Sequence, residues 1–200
     1  MTIQKALKHD FDEAAFHRFL EGRPEEERWQ LIDGEPFMMT SPTLVHQRIA
    51  ANLVRKLNDS LEIHRPDLFA IHEVGIRLEE REKFRPIPDV AILDAEVEDI
   101  RYATAFYLAA EVLSESNSAE FISLKRARYA EAPTCTHVLI IAQSDICLEL
   151  WSRSNGWRGE VFRSAEDISS LPEFGAALRL GDLYRGTPRA GASPKPERAR

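Results

Sequence analysis

Cysteine is scarce in this chain. Cys135 and Cys147 are the only two among 200 residues, which excludes a disulfide framework, and a thiolate metal site would need closer spacing and more partners. Both fall in apolar strand-like stretches and read as reduced, buried thiols. Long apolar runs are missing too: none approaches roughly 18 residues, so no segment is expected to span a bilayer. The opening "MTIQKALKHDFDEAAF" has no apolar signal-peptide core, and a cytoplasmic protein without a membrane partner is the default expectation. There is no glycine-rich phosphate loop, no Gly-x-Ser-x-Gly and no cysteine-rich zinc pattern. His9, His17, His64, His72 and His137 show no metal-ligand spacing, and no internal repeat is present.

What is there suits one globular core. Hydrophobic residues make up 44% and charged residues 30% of the chain, and 200 residues match a single domain. The net charge is −7, although the last fourteen residues, "TPRAGASPKPERAR", carry four bases against one acid. An acidic body argues against broad nonspecific binding to nucleic acid, but not against a local basic groove. The pattern predicts a helix over 11–21 capped by Asp12, a hairpin over 29–39 turning at Asp33-Gly34, and a helix opened by Ser41 and Pro42 that ends near Leu61. Strands are expected over 68–80, 87–94 and 106–114, then a helix over 117–131 with Asn117 as cap. Three more strands follow, with turns at Ser144-Asp145 and Asn155-Gly156. That order predicts an α/β (α+β) fold with a mixed central sheet flanked by helices. From Thr187 the Pro, Ala, Ser and Arg content predicts a disordered basic tail over 187–200.

Two acids sit where apolar residues belong. In "IPDVAIL", residues 87–93, period two places Asp89 on one face with Ile87, Ala91 and Leu93. In "FYLAAEVLS", Glu111 sits within an equally apolar run. Paired carboxylates repel one another, and a divalent cation with hard oxygen ligands removes the objection. The plainer explanation is that each acid pairs with an arginine, for which Arg77, Arg81 and Arg85 are available. On the helix "AEFISLKRARYAEA", Lys125 lies among Phe121, Ile122, Tyr129 and Ala132, in the middle of the apolar face. Its plain reading is a snorkelling stem; its functional reading is an ammonium aimed at the acids. Two metal-binding acids and a lysine are equipment for phosphodiester hydrolysis. Glu35 ends the turn "IDGE" and His46 heads the apolar stripe of its helix; by themselves both read as structural.

"WQLIDGEPFMMTSPTLVHQ", "RPIPDVAIL" and "AAEVLSESN…LKRARYAEA", in that order, resemble the Uma-two family of restriction endonucleases, within the PD-(D/E)XK nuclease superfamily. The resemblance runs from about Trp29 to Tyr184. It implies a restriction-endonuclease-like core in a single domain over 1–186, with 1–28 as a helical extension. It implies a Mg²⁺-dependent endodeoxyribonuclease, with Mn²⁺ as a substitute, acting on nucleic acid and specifically on DNA. Asp89 matches the PD aspartate and Glu111 the acid of the (D/E)XK motif. Leu113 stands at the usual lysine position, and Lys125 matches the lysine moved to the next helix. Glu35 matches an upstream acid and His46 a helix-start histidine; the Val112 carbonyl joins Asp89 and Glu111 as a metal ligand by analogy. One departure is Phe121, where family members often carry an aspartate four residues before the lysine. The alternative is a nuclease-fold protein that binds nucleic acid or a protein partner without cutting. A homodimer paired through an edge strand near 146–152 is a further expectation.

Overall fold

The computed structural model describes residues 10–78, 81–97, 102–114 and 118–190. Asn117 and residues 191–200 therefore lie outside the description. Helix α1 (Glu13–Glu21) starts where expected: the Asp12 carboxylate accepts from the Ala15 amide at 2.7 Å. It is more than an appendage. Phe16 is buried, and Glu13 reaches the Arg85 guanidinium at 2.5 Å and that of Arg77 at 3.0 Å. Strands β1 (Trp29–Ile32) and β2 (Glu35–Met38) form the predicted hairpin. Asp33 and Gly34 both take positive φ, 50° and 82°, as a tight two-residue hairpin turn demands.

Helix α2 (Leu44–His64) is capped by Thr43, whose hydroxyl accepts from the His46 amide at 3.2 Å. Ser41 is thus not the cap: the helix begins later, so Pro42 precedes the cap instead of filling the first turn. Strand β3 (Leu68–His72) is shorter than its apolar pattern, because Glu73 adopts a φ of 48° and breaks the extended run. The two-residue β4 (Phe84–Arg85) joins β1 in a small sheet ordered β2-β1-β4. Strands β5 (Val90–Asp94) and β6 (Leu108–Leu113) then pair antiparallel. Helix α3 (Ala119–Ala130), capped by Ser118 through the Phe121 amide, crosses over to β7 (His137–Ala142), which lies parallel to β6. Strands β8 (Leu148–Ser152) and β9 (Gly159–Phe162) extend the sheet antiparallel.

The result is a six-stranded mixed sheet ordered β3-β5-β6-β7-β8-β9, with helices on its faces. Strand β8, expected as a free edge, is interior; β3 and β9 are the edges. Cys135 and Cys147 precede β7 and β8 instead of lying within them, and both are free thiols. Alternation in the strands divides the core. Val90, Ile92, Leu108, Ala110 and Val112 pack with Ile49, Leu53, Leu57 and Leu61 of α2. Ala91, Leu93, Ala109, Val138 and Ile140 pack with Ile122 and Tyr129 of α3. Each fully buried leucine on such a face contributes about 1.5–3 kcal/mol by its transfer from water.

The chain closes with β10 (Ile168–Leu171), a 3₁₀ turn over Pro172–Phe174, β11 (Ala176–Arg179) and the short α4 (Leu180–Leu183), a segment without a distinct sequence signal. Packing continues past Gly186. Thr187 is buried and its hydroxyl donates to the Tyr184 carbonyl at 2.7 Å, so the body extends beyond the boundary its composition suggests. Tyr184 fastens this end to the sheet: its hydroxyl donates toward the Ala142 carbonyl at 2.7 Å and accepts from the Cys147 amide at 3.1 Å. Tyr184→Phe should strand these buried groups and cost about 1–3 kcal/mol. Urea unfolding is the check, with an unchanged midpoint contradicting the role given to this hydroxyl.

Candidate active site

The register of β5 on β6 sets the site. Val90 lies opposite Ala110, so one step beyond the strand end brings Asp89 beside Glu111. Within β6, Ala109 belongs to the α3 side of the sheet and Leu108, Ala110 and Val112 to the α2 side. Glu111 therefore points at α3, the crossover that a parallel β6–β7 pair requires. There, its Oε1 accepts from Lys125 Nζ at 2.6 Å and from the Tyr129 hydroxyl at 2.7 Å. Lys125 is 2% exposed and Glu111 6%. Burial and the nearby Asp89 push the Glu111 carboxyl above the usual carboxylate range, against the pull of Lys125 and Tyr129. Burial, then the Glu111 charge, also hold the Tyr129 phenol well above its ordinary value, so it remains a donor.

Asp89 is held from two other sides. Its Oδ2 accepts from the Val112 amide at 2.6 Å, and its Oδ1 lies 3.2 Å from His46 Nε2. The Thr43 cap places His46 in the first turn of α2, facing Asp89. Burial disfavours the imidazolium, but the hydrogen bond and charge of Asp89, with the fields of Glu73 and Glu111, outweigh it and raise the His46 pKa. The arginines proposed as plain partners are engaged elsewhere: Arg77 and Arg85 with Glu13, Arg81 with Glu131.

Asp89, Glu111, Val112, Lys125 and His46 line one cleft of about 290 Å³. Two further hollows, of about 530 and 310 Å³, share His46 and Asp89 with it. Glu35 does not line any of these three. Its register opposite Ile32 puts it at the turn end of the hairpin, whereas Phe37, two residues on, reaches the cleft. Two lining or supporting residues had been given no role from sequence. Gln30 accepts from the Ile87 amide at 3.5 Å and lines the cleft. Tyr129 carried a usable signal, four residues after Lys125 on the same helical face.

The donor set suits a hard cation. Among the described residues no three His, Cys, Asp or Glu side chains gather as a self-sufficient metal cage. Mg²⁺ does not need one, since it keeps several waters and is commonly held by one or two carboxylates plus substrate phosphate. Val112 directs its amide toward Asp89, and in an extended strand the carbonyl of a residue leaves by the same edge as its amide. Burial first, and the neighbouring Asp89 charge second, oppose ionisation of Glu111, and a bound divalent ion would favour its charged form.

A family model described as "Uma2: Putative restriction endonuclease" matches residues 14–181. The chain belongs to that family. A solved structure described as a putative nuclease belonging to DUF820, from Anabaena variabilis ATCC 29413, superposes with a TM-score of 0.70 at 17% identity. The match covers 87% of this chain and 97% of that one, and shows the shared fold. No curated protein matches the chain. Among the described residues, no helix of this Uma2 member is long and apolar enough to cross a membrane.

In metal-free protein, His46 should titrate above the ordinary value of about 6.5. Because folding raises this pKa, the His46–Asp89 contact stabilises fully below the unfolded value and loses that contribution as pH rises through the folded one. The stability gap between wild type and His46→Gln should be widest in acid and narrow toward alkaline pH. A gap that widens with pH would contradict the raised pKa.

Proposed function

We propose that this Uma2 protein is a metal-dependent endonuclease that hydrolyses phosphodiester bonds, with DNA as substrate. The observation that carries the reading is the meeting of Asp89 and Glu111 at the end of two apolar strands, with buried Lys125 bonded to Glu111 in the same cleft. Asp89, Glu111 and the Val112 carbonyl would hold Mg²⁺, or Mn²⁺ in its place. Such an ion, when bound, polarises the phosphate and makes a water acidic enough to attack. Hydrolysis forms one bond from water oxygen to phosphorus and breaks one phosphorus–oxygen ester bond, the leaving oxygen taking up a proton.

The chain's own groups divide the remaining work. Lys125 brings a fixed ammonium to charge that develops on the phosphoryl oxygens, in a site where water is largely excluded. Tyr129 fixes Glu111 by donating to the same oxygen as Lys125. His46 and the Val112 amide fix Asp89 from opposite oxygens. Glu35 has no role in this arrangement. The free thiols Cys135 and Cys147 agree with a reducing, cytoplasmic setting; burial pushes the Cys135 pKa up to about 12 and keeps that thiol inert.

One observation favours the non-cutting alternative. The side of Lys125 toward the helix N-terminus is met by the Phe121 ring, 5.8 Å from Nζ, instead of a second orienting carboxylate. Plasmid nicking decides between them. Wild type should nick supercoiled DNA with Mn²⁺ and not with EDTA. Lys125→Met should lose about 10²–10³ in single-turnover rate while retaining a Mn²⁺-induced rise in melting temperature. Asp89→Asn should lose that rise, which for wild type corresponds to about 2.7 kcal/mol at 100 times the dissociation constant. Nicking by Lys125→Met at the wild-type rate would remove the lysine from the chemistry. Metal binding by wild type with no cleavage of either supercoiled or single-stranded DNA would establish the binder.

A further inference from the structure

The cleft has two unlike walls. One is ionic, built from Asp89, Glu111, Lys125 and His46; the other is apolar, built mainly from Phe37 and Phe121 with Met38 and Met39. Phe37 and Phe121 are half-buried and touch each other, with ring centroids 4.6 Å apart at a tilt of 46°. They come from different elements, β2 and α3, so their meeting is a product of the fold and not of local sequence. Phe121 also stands beside the Lys125 ammonium, which sets the aromatic surface directly next to the place where a phosphate would be held.

We propose that this wall is a stacking platform for a nucleobase, so that the substrate is a strand with an unpaired base next to the cut, not a continuous duplex. The proposal rests on the nuclease reading and names its substrate class. A single nucleotide offers what the two walls require, an anion joined by a short link to a flat π face. In continuous duplex those faces are covered by neighbouring bases, and exposing one costs a few kcal/mol. A chain of net charge −7 has little capacity to hold a long duplex through phosphate contacts alone. Stacking on aromatic rings supplies affinity without a basic track, and tolerates any base.

The test uses the full chain in Ca²⁺, which suppresses cleavage, with fluorescence anisotropy as readout. The probes are one labelled thymidine-rich oligonucleotide, the same strand in full duplex, and the same strand in a duplex with an unpaired bubble. Wild type should bind the single strand and the bubble about tenfold or more tightly than the duplex. Phe121→Leu and Phe37→Leu should each weaken single-strand binding about 5- to 100-fold and leave duplex binding unchanged, whereas Phe121→Tyr, which keeps the π face, should bind like wild type. Equal wild-type affinity for all three probes would overturn the platform, and this comparison stands even where a leucine variant fails to fold. Folded leucine variants with wild-type affinity for the single strand would also overturn it. Parallel assays in Mn²⁺ separate the two claims. Binding that depends on Phe121 with no cleavage keeps the platform and rejects the nuclease. Cleavage of full duplex as fast as bubble by wild type and both leucine variants does the reverse.

Discussion

Two carboxylates inside an apolar sheet impose the constraint that organises this molecule. Asp89 and Glu111 are each less than a tenth exposed, and a buried charge without partners costs several kcal/mol. Each acid recruits partners from a different part of the fold. Glu111 draws a lysine and a tyrosine from α3, the helix that the parallel strand pair makes necessary. Asp89 draws a histidine from the first turn of α2 and a backbone amide from the neighbouring strand. Helices on opposite faces are thus tied to one sheet end by ionic contacts as well as by their apolar stripes. The balance is incomplete, since the Glu111 carboxyl stays above its ordinary range. Buried ion pairs replaced by apolar side chains often gain stability, so the cluster is not accounted for by stability alone.

The partners also define what the cleft can select. Lys125 is bonded to Glu111 and flanked by aromatic rings on both sides, with Phe121 at 5.8 Å and Tyr129 at 5.9 Å. Its ammonium is therefore less free to swing than that of a surface lysine, and its charge is offered in one place. Family membership and the shared fold fix the class of protein. The aromatic side chain of Phe121 lies within the cleft itself.

The central elements were legible in the sequence because their signals are strong and local. Period-two apolarity revealed β5 and β6, and the same periodicity exposed Asp89 and Glu111 as anomalies. The helical angle placed Lys125 among apolar neighbours, which the structure bears out with its 2% exposure. What stayed hidden depends on long-range geometry. Thr43 displaced Ser41 as a cap because helix starts are set by where the hairpin releases the chain. Strands β10 and β11 carry half-exposed patterns of four residues each, too short for periodicity to speak. Glu35 carried little signal by itself and entered through the family resemblance; the hairpin places it at the turn end, and Phe37 lines the cleft. Thr187 sits in a stretch of tail-like composition, yet burial and hydrogen bonds from its amide and hydroxyl to the Tyr184 carbonyl hold it.

Helix α1 has a reach that its position at the chain's start does not suggest. Glu13 holds Arg85, which is 4% exposed and ends β4. Only three residues separate Arg85 from Asp89, so the tether of four steps between them spans at most about 14 Å when fully drawn out. Slack introduced at the first helix would pass down that tether, like play in a short linkage, to the carboxylate at the cleft floor. The N-terminal helix is thus linked, through Glu13 and Arg85, to the chain that enters the strand end carrying Asp89.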